Sequence, residues 1–324
     1  MASPTPTASR RRFCLCCLAG AGLAGAGLAG SLVSRPASAE VRHIVQTIQA
    51  EAARSPIRVH RLRGGVAVLE GSGGNVAVLT GPDGKLLVDA GIGTSRAQML
   101  TALDGLGEAP ITHLIDTHWH FDHTDGNAWV HAEGARIIAH ENTRKRLQVM
   151  QRVEDWDYDF PAPPPDALPE QVFSDRHELR LNRSTLLLEH YSPAHTDSDI
   201  SVRFVEADIL HAADTFWNGI YPFIDYSTGG HIDGTIAAAE ANLALATDST
   251  IVISGHGAPV GTRADLRDFR DMLVHIRANV AALKKRGLSL DAIIAARPTA
   301  EHDARWGQFV IDPALFTRLV YEGV

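Results

Sequence analysis

Thiols are scarce in this chain: its three cysteines, Cys14, Cys16 and Cys17, all lie close to the N-terminus. Past residue 17 there is no thiol for a disulfide or a metal, so a metal site further along must use His, Asp and Glu. Residues 1–39 in turn lack any acid or histidine. They carry Ser9-Arg10-Arg11-Arg12-Phe13, a twin-arginine arrangement, then a Gly/Ala-rich stretch from Cys14 to Val33, then the small-x-small site Ala37-Ser38-Ala39. This order predicts a Tat signal peptide over 1–39, handled by the Tat export machinery and cleaved near Ala39-Glu40. The mature protein is then expected in the periplasm or outside the cell. A long unbroken hydrophobic run is missing too. Five glycines between Gly20 and Gly30 leave the stretch too mildly apolar for a good spanning helix. No stable membrane insertion is expected after cleavage. Excess positive charge is the last absence: losing Arg10, Arg11, Arg12 and Arg35 takes the formal charge from −8 to −12. That balance argues against nucleic acid or an anionic membrane as partner, since both select basic surface.

Residues 40–324 show no long linker and suit one large domain. A polar helical segment is expected at about Val41 to Ala53. Short β-rich runs follow at Val59 to Leu62, Val66 to Leu69, Val76 to Leu79 and Lys85 to Val88, with Gly64-Gly65, Gly71-Ser72-Gly73-Gly74 and Pro82-Asp83-Gly84 as turns. From Thr94 the rhythm becomes α/β: helix near Arg96 to Leu106, strand at Thr112 to Ile115, helix after Asp125, strand at Arg136 to Ala139. Residues 160–169 hold five of the sixteen prolines and read as an exposed loop that could border a cleft. Strands near Thr185 to His190, Ile200 to Phe204 and Asp208 to Leu210 follow. Helix, strand and helix then return at Gly234 to Ala246, Thr250 to Ser254 and Arg263 to Lys285. Strands, α/β, strands, α/β suggest two similar halves.

The strongest chemical signal is Thr117-His118-Trp119-His120-Phe121-Asp122-His123, directly after the apolar Leu114-Ile115. In an extended segment side chains repeat every second residue, so His118 and His120 can grip one metal ion together. Asp122 and His123, just beyond the turn, can address a second ion nearby.

This motif resembles the His-x-His-x-Asp-His signature of the metallo-β-lactamase superfamily, and further landmarks follow in order. Ser192-Pro193-Ala194-His195-Thr196 is similar to the third-histidine loop, Ala213-Asp214-Thr215-Phe216 to the bridging-aspartate turn, and Ser254-Gly255-His256-Gly257 to the last-histidine loop. Leu87-Val88-Asp89-Ala90-Gly91 is similar to an early segment with a buried aspartate. The resemblance, from about Val59 to Gly261, implies a four-layer αββα sandwich of two packed mixed β-sheets, an α/β fold, and a C-terminal helical extension is expected over about 262–324. It implies His118, His120 and His195 on one metal, Asp122, His123 and His256 on the other, and Asp214 bridging them. A bridging aspartate without a cysteine looks like the glyoxalase II type of ligand pattern.

Ligand histidines usually donate their other N–H to a carboxylate or carbonyl, and Asp89 and Asp116 are the candidates for that support. Asp197 and Asp199 read as solvated loop acids. Trp217, Tyr221, Phe223 and His231 are candidates for the substrate pocket. The resemblance implies two Zn2+, with iron or manganese as alternatives, and a hydroxide between the metals that attacks a small carbonyl substrate. Asp122 would orient that nucleophile and help protonate the leaving group. A β-lactam, lactone, ester or thioester fits this chemistry, whereas an exported protein would not meet a cytosolic glutathione thioester. The alternatives are an iron-dependent, persulfide dioxygenase-like redox enzyme of the same fold and a non-catalytic metal-binding protein.

Overall fold

The computed structural model describes residues 37–191 and 193–324. The expected Tat signal therefore lies outside the described residues except for its last three positions, and Ser192 lies outside them as well. Helix α1 (Ala37–Ala52) begins a few residues before the expected segment and spans the expected cleavage point. Among the described residues, no helix is long and apolar enough to cross a membrane.

Alternation of apolar residues builds the first sheet, because successive side chains of a strand face opposite ways. Beside the edge strand β1 (Arg58–Arg61) lie β2 (Val66–Glu70), β3 (Val76–Gly81) and β4 (Gly84–Val88). Val66, Val68, Ala77, Leu79, Leu86 and Val88 enter a core shared with the second sheet, while Leu69, Val76, Val78 and Leu87 enter a separate core with helical residues. β1 to β4 form an antiparallel meander. The sheet then continues in parallel through β5 (Ile111–Asp116) and β6 (Arg136–His140). Parallel pairing needs crossovers. These are α2 (Arg96–Asp104) before β5, and α3 (Phe121–Thr124) with α4 (Asn127–Ala132) before β6. Met99 and Leu103 of α2 and Trp129 and Val130 of α4 cover the sheet's outer face. After α5 (Glu141–Leu147) the chain leaves the sheet for a separate hairpin, β7 (Gln151–Val153) and β8 (Tyr158–Phe160). It returns as β9 (Gln171–Phe173), parallel to β6.

The second sheet repeats the scheme. β10 (Arg176–Leu181), β11 (Ser184–His190), β12 (Ile200–Phe204) and β13 (Ile209–Asn218) form a meander. α6 (Ile232–Leu245) then crosses to β14 (Ile251–Gly257), parallel to β13, and β15 (Val260–Gly261) closes the edge. Its outer face, with Ala212, Phe216 and Val252, is covered by α6 and α7 (Arg263–Lys285), and α8 (Leu290–Ala295), α9 (Asp303–Trp306) and α10 (Pro313–Glu322) extend the same core through Ile293, Trp306 and Phe316. The architecture is the α/β sandwich of two mixed sheets that the sequence predicts.

Two local differences matter for the site. The expected strand ending at Leu210 is a ten-residue one, so Ala213 to Phe216 is not a turn but a bulge inside β13. Its Ala213 takes φ +46°, a left-handed conformation rare for a residue with a Cβ. Lys284 Nζ donates to the main-chain oxygens of Tyr321 and Val324, tying the end of α7 to the end of α10 and the residues after it.

Candidate metal centre

Strand ends and short turns from both sheets converge at one edge of the sandwich. The turn after β5 supplies His118 and His120, and α3 supplies Asp122 and His123. His195 comes from the β11–β12 connection, Asp214 from the β13 bulge and His256 from β14. His118, His120, His195 and Asp214 bring one ligand atom each to within 4.8 Å of one another, and Asp122, His123 and His256 do the same beside them. Asp214 touches both groups. Its Oδ2 lies 3.3 Å from His195 Nε2, 3.9 Å from His118 Nε2 and 3.3 Å from His256 Nε2, and its Oδ1 lies 3.2 Å from His123 Nε2. Asp122 Oδ2 is 3.2 Å from His256 Nε2.

The outward nitrogen of each of four imidazoles is already committed. His195 Nδ1 lies 2.8 Å from the Phe223 carbonyl, which only accepts, so this nitrogen carries the proton. His120 Nε2 faces the Asp225 carboxylate at 3.0 Å, and His123 Nδ1 faces Asp89 at 2.8 Å. His118 Nδ1 lies 3.1 Å from the Thr117 hydroxyl, whose own proton goes to Asp89. In the neutral ring the inward nitrogens are then bare lone pairs. His195 Nε2 and His120 Nδ1 meet at 2.9 Å, lone pair against lone pair. His118 Nε2 is buried with no hydrogen-bond partner. Buried polar atoms without partners are costly, and a cation satisfies such converging lone pairs at once. The donor set therefore fits one or two divalent metal ions. Nitrogen and carboxylate ligands without sulfur suit zinc, and also iron or manganese.

Charge distribution follows from the same geometry. Burial holds His195 down at about 4 and His118 well below the ordinary histidine range. Burial also opposes charge on His123 and His256, but Asp214 and Asp122 outweigh it, raising His123 well above its ordinary value and His256 to about 9. Asp122 loses stabilisation to burial yet is held at about 2 by His123 and His256, and Asp214 is driven well below the carboxylate range by the histidines around it. Both acids are ionised at neutral pH.

Asp89, at φ +69°, accepts from the Thr117 amide at 2.7 Å and the Thr117 hydroxyl at 2.9 Å as well as from His123. Asp116 does not share that arrangement. It takes the Asn127 amide at 2.8 Å, and burial raises its pKa well above normal. Asp225, absent from the sequence reading, has the supporting position on His120. Three hydroxyl and amide groups of Ser227 and Thr228 also bind it, and it is held at about 2. The run Asp225-Tyr226-Ser227-Thr228 is an Asx-turn pattern that signals such a site. Asp199 is not a solvated loop acid: it is buried and clasps the amides of His195 and Thr196 at 2.7 and 2.9 Å, which fixes the histidine loop. Asp197 is partly exposed and pairs with Arg146. Gly74 packs against the ring of His123, where a Cβ would lie 2.3 Å from it.

Of the expected pocket residues only Phe223 lines the cleft at the metal centre, with His120, Phe121, Asp122, Val153, Trp156 and Phe160. Trp217 is buried behind His256, ring centroids 4.2 Å apart. Tyr221 is core, stacked on Phe316 at 4.6 Å with its hydroxyl on Asp303. His231 caps α6 by accepting the Asp233 amide. All three are corrections: Trp217 packs behind a ligand ring, apolar neighbours bury Tyr221, and a helix start engages His231.

Fold and site together define a metal-binding α/β protein whose ligands straddle two sheets. The chain belongs to the metallo-β-lactamase superfamily, whose family pattern matches residues 69–281. It is 29% identical over 149 residues to a hydroxyacylglutathione hydrolase of Polaromonas sp., covering 45% of this chain and 48% of that one. A hydroxyacylglutathione hydrolase of Rhodospirillum rubrum is 28% identical over 205 residues, 62% of this chain and 67% of that one. The chain thus spans about half to two thirds of the length of these relatives. Among solved structures, a stereoselective inverting sec-alkylsulfatase from Pseudomonas sp. superposes with TM-score 0.61 at 17% identity, covering 85% of this chain and 51% of that one. A metallo-β-lactamase from Pontibacter korlensis superposes with TM-score 0.55 at 16% identity, covering 67% of this chain and 99% of that one. Likeness at this identity concerns the fold.

Proposed function

We propose that the mature chain is an exported binuclear zinc hydrolase acting on a small carbonyl substrate: a β-lactam, lactone, ester or thioester. The observation that carries this reading is the Asp214 carboxylate set between two groups of converging imidazole nitrogens. The names of the glyoxalase II-type relatives support hydrolysis, and the twin-arginine leader supports export. Zinc bound to such ligands lowers the pKa of water to about 7 and so supplies hydroxide at neutral pH, and it also polarises a carbonyl. His118, His120 and His195 would hold one ion, Asp122, His123 and His256 the second, with Asp214 shared. Asp89, Asp225 and the Phe223 carbonyl fix the rings so that these nitrogens stay aimed inward. Asp122, ionised and at the cleft, is placed to accept a proton from the attacking water and pass it to the leaving group.

The test is a panel of carbapenems, cephalosporins, lactones, esters and thioesters offered to the zinc-loaded mature protein, with metal content measured on protein purified without added metal. Turnover of one class, lost in Asp214→Ala and cut about 100-fold or more in Asp122→Asn, is expected. Iron in place of zinc, or full activity in Asp122→Asn, would overturn the corresponding part.

A further inference from the structure

The hairpin β7–β8 belongs to neither sheet, yet its apolar side chains reach the metal centre. Pairing Gln151 with Phe160 and Val153 with Tyr158 places Val153, Trp156 and Phe160 on the cleft, opposite Phe121 and Phe223. Phe160 stacks on Phe121 at 5.1 Å and meets Trp119 edge-on at 5.9 Å, and Trp156 meets Phe223 edge-on at 5.4 Å. Phe223 in turn stands 6.2 Å from the ring of His120. Phe121, Trp156 and Phe160 are only partly buried, so these rings have surface left to offer a ligand.

The wall has one sign of charge. Asp122 is its single acid, and among the described residues no lysine or arginine lines it. Asp122 is committed to the metal site, so the rest of this wall carries no charged side chain and suits an uncharged group. A flat apolar group is driven onto such a wall by the burial of its surface and adds edge or face contacts with the rings.

A two-stranded hairpin is marginal by itself, so its position depends on anchors. Arg152 pairs with Asp157 across the hairpin end and lies 3.2 Å from Glu154 and 3.5 Å from Asp159. Asp155, next to Trp156, pairs with Arg318 of α10, 163 positions away. This pair ties the hairpin tip to the helical layer, and α1 packs on the same tip.

We infer that β7–β8 is the specificity element of the site: it receives an aryl or similarly flat apolar group beside the scissile carbonyl. Arg318 is a positioning residue that holds Trp156 in place through Asp155. The inference rests on the hydrolase reading of the metal centre.

Phenylacetyl and acetyl thioesters of one neutral thiol test it in the zinc-loaded protein, alongside titration calorimetry with phenylacetate and acetate. The wild type should favour the phenylacetyl thioester by about tenfold or more in kcat/KM, and Trp156→Ala and Phe160→Ala should bring the ratio down several-fold. Arg318→Met should raise KM for the phenylacetyl compound more than it lowers kcat, and Arg318→Lys should restore it. A wild-type ratio near one, or a ratio unchanged in Trp156→Ala, would overturn the inference. If neither thioester turns over, the thioesterase reading fails separately and calorimetry decides this one. Tighter phenylacetate binding that Trp156→Ala abolishes supports the aromatic wall, and equal binding of the two acids rejects it.

Discussion

Asp89 shows how much of the centre depends on a single side chain that touches no expected ion. Its two oxygens accept three hydrogen bonds, from the Thr117 amide, the Thr117 hydroxyl and His123 Nδ1. An asparagine at this position offers one oxygen and sets an NH2 group against a donor, so His123 loses either its tautomer or its orientation. Asp89→Asn should therefore weaken metal binding by about 10- to 100-fold, measured by competition with a chelator. Unaltered affinity would show that the carboxylate serves only the backbone. At this scale the ligand side chains were legible in the sequence, because His118 to His123 is a local pattern and His195, Asp214 and His256 follow in recognisable contexts. Asp225 and Trp156 were not. Their roles arise from approaches across 105 positions to His120 and from a hairpin whose strands are three residues long. Tyr221 was misread for the reverse reason: an aromatic close in sequence to the bridging aspartate turns away into the helical core.

The strands were legible as elements wherever alternation was clean, as in β2 to β4, and α7 matched from Arg263 to Lys285 because Thr262 and Asp265 form a capping box at its start. α10 was anticipated only as part of a helical extension over about 262–324, without bounds of its own. Its apolar residues Phe316, Leu319 and Val320 follow the helical i, i+3, i+4 spacing, and all three are buried in the core that α10 shares with α7 and α8. Phe316 also stacks on Tyr221. This makes the C-terminal helices part of the main core and not an appendage. Phe316→Ala should cost about 3–5 kcal/mol, a large share of a typical domain's 5–15 kcal/mol, and should lower the unfolding midpoint in denaturant. Phe316→Leu, which keeps most of the volume, should cost less. Equal midpoints for wild type and Phe316→Ala would mean that α10 is dispensable to the fold.

Across the whole molecule, the site joins two halves that share one core. Ligands on the β5 side come from the first sheet, and His195, Asp214 and His256 come from the second, so an ion bound there cross-links both. Anything that binds the folded state alone stabilises it in proportion to the logarithm of its concentration. Zinc should accordingly raise Tm and chelation should lower it, and the gap should depend on pH. In the chelated protein His256 is raised from its ordinary 6.5 to about 9, and His123 is raised as well. A group raised in the folded state contributes stability that is complete below its unfolded pKa and is lost as pH climbs through the folded one. The chelated protein should thus lose stability between about pH 6.5 and 9. The zinc-loaded protein, whose ligand nitrogens are already deprotonated, should not lose that contribution, so its advantage in Tm should widen over this interval. Parallel Tm curves for the two forms from pH 6.5 to 9 would show that protons on His123 and His256 do not substitute for the metal in balancing Asp122 and Asp214.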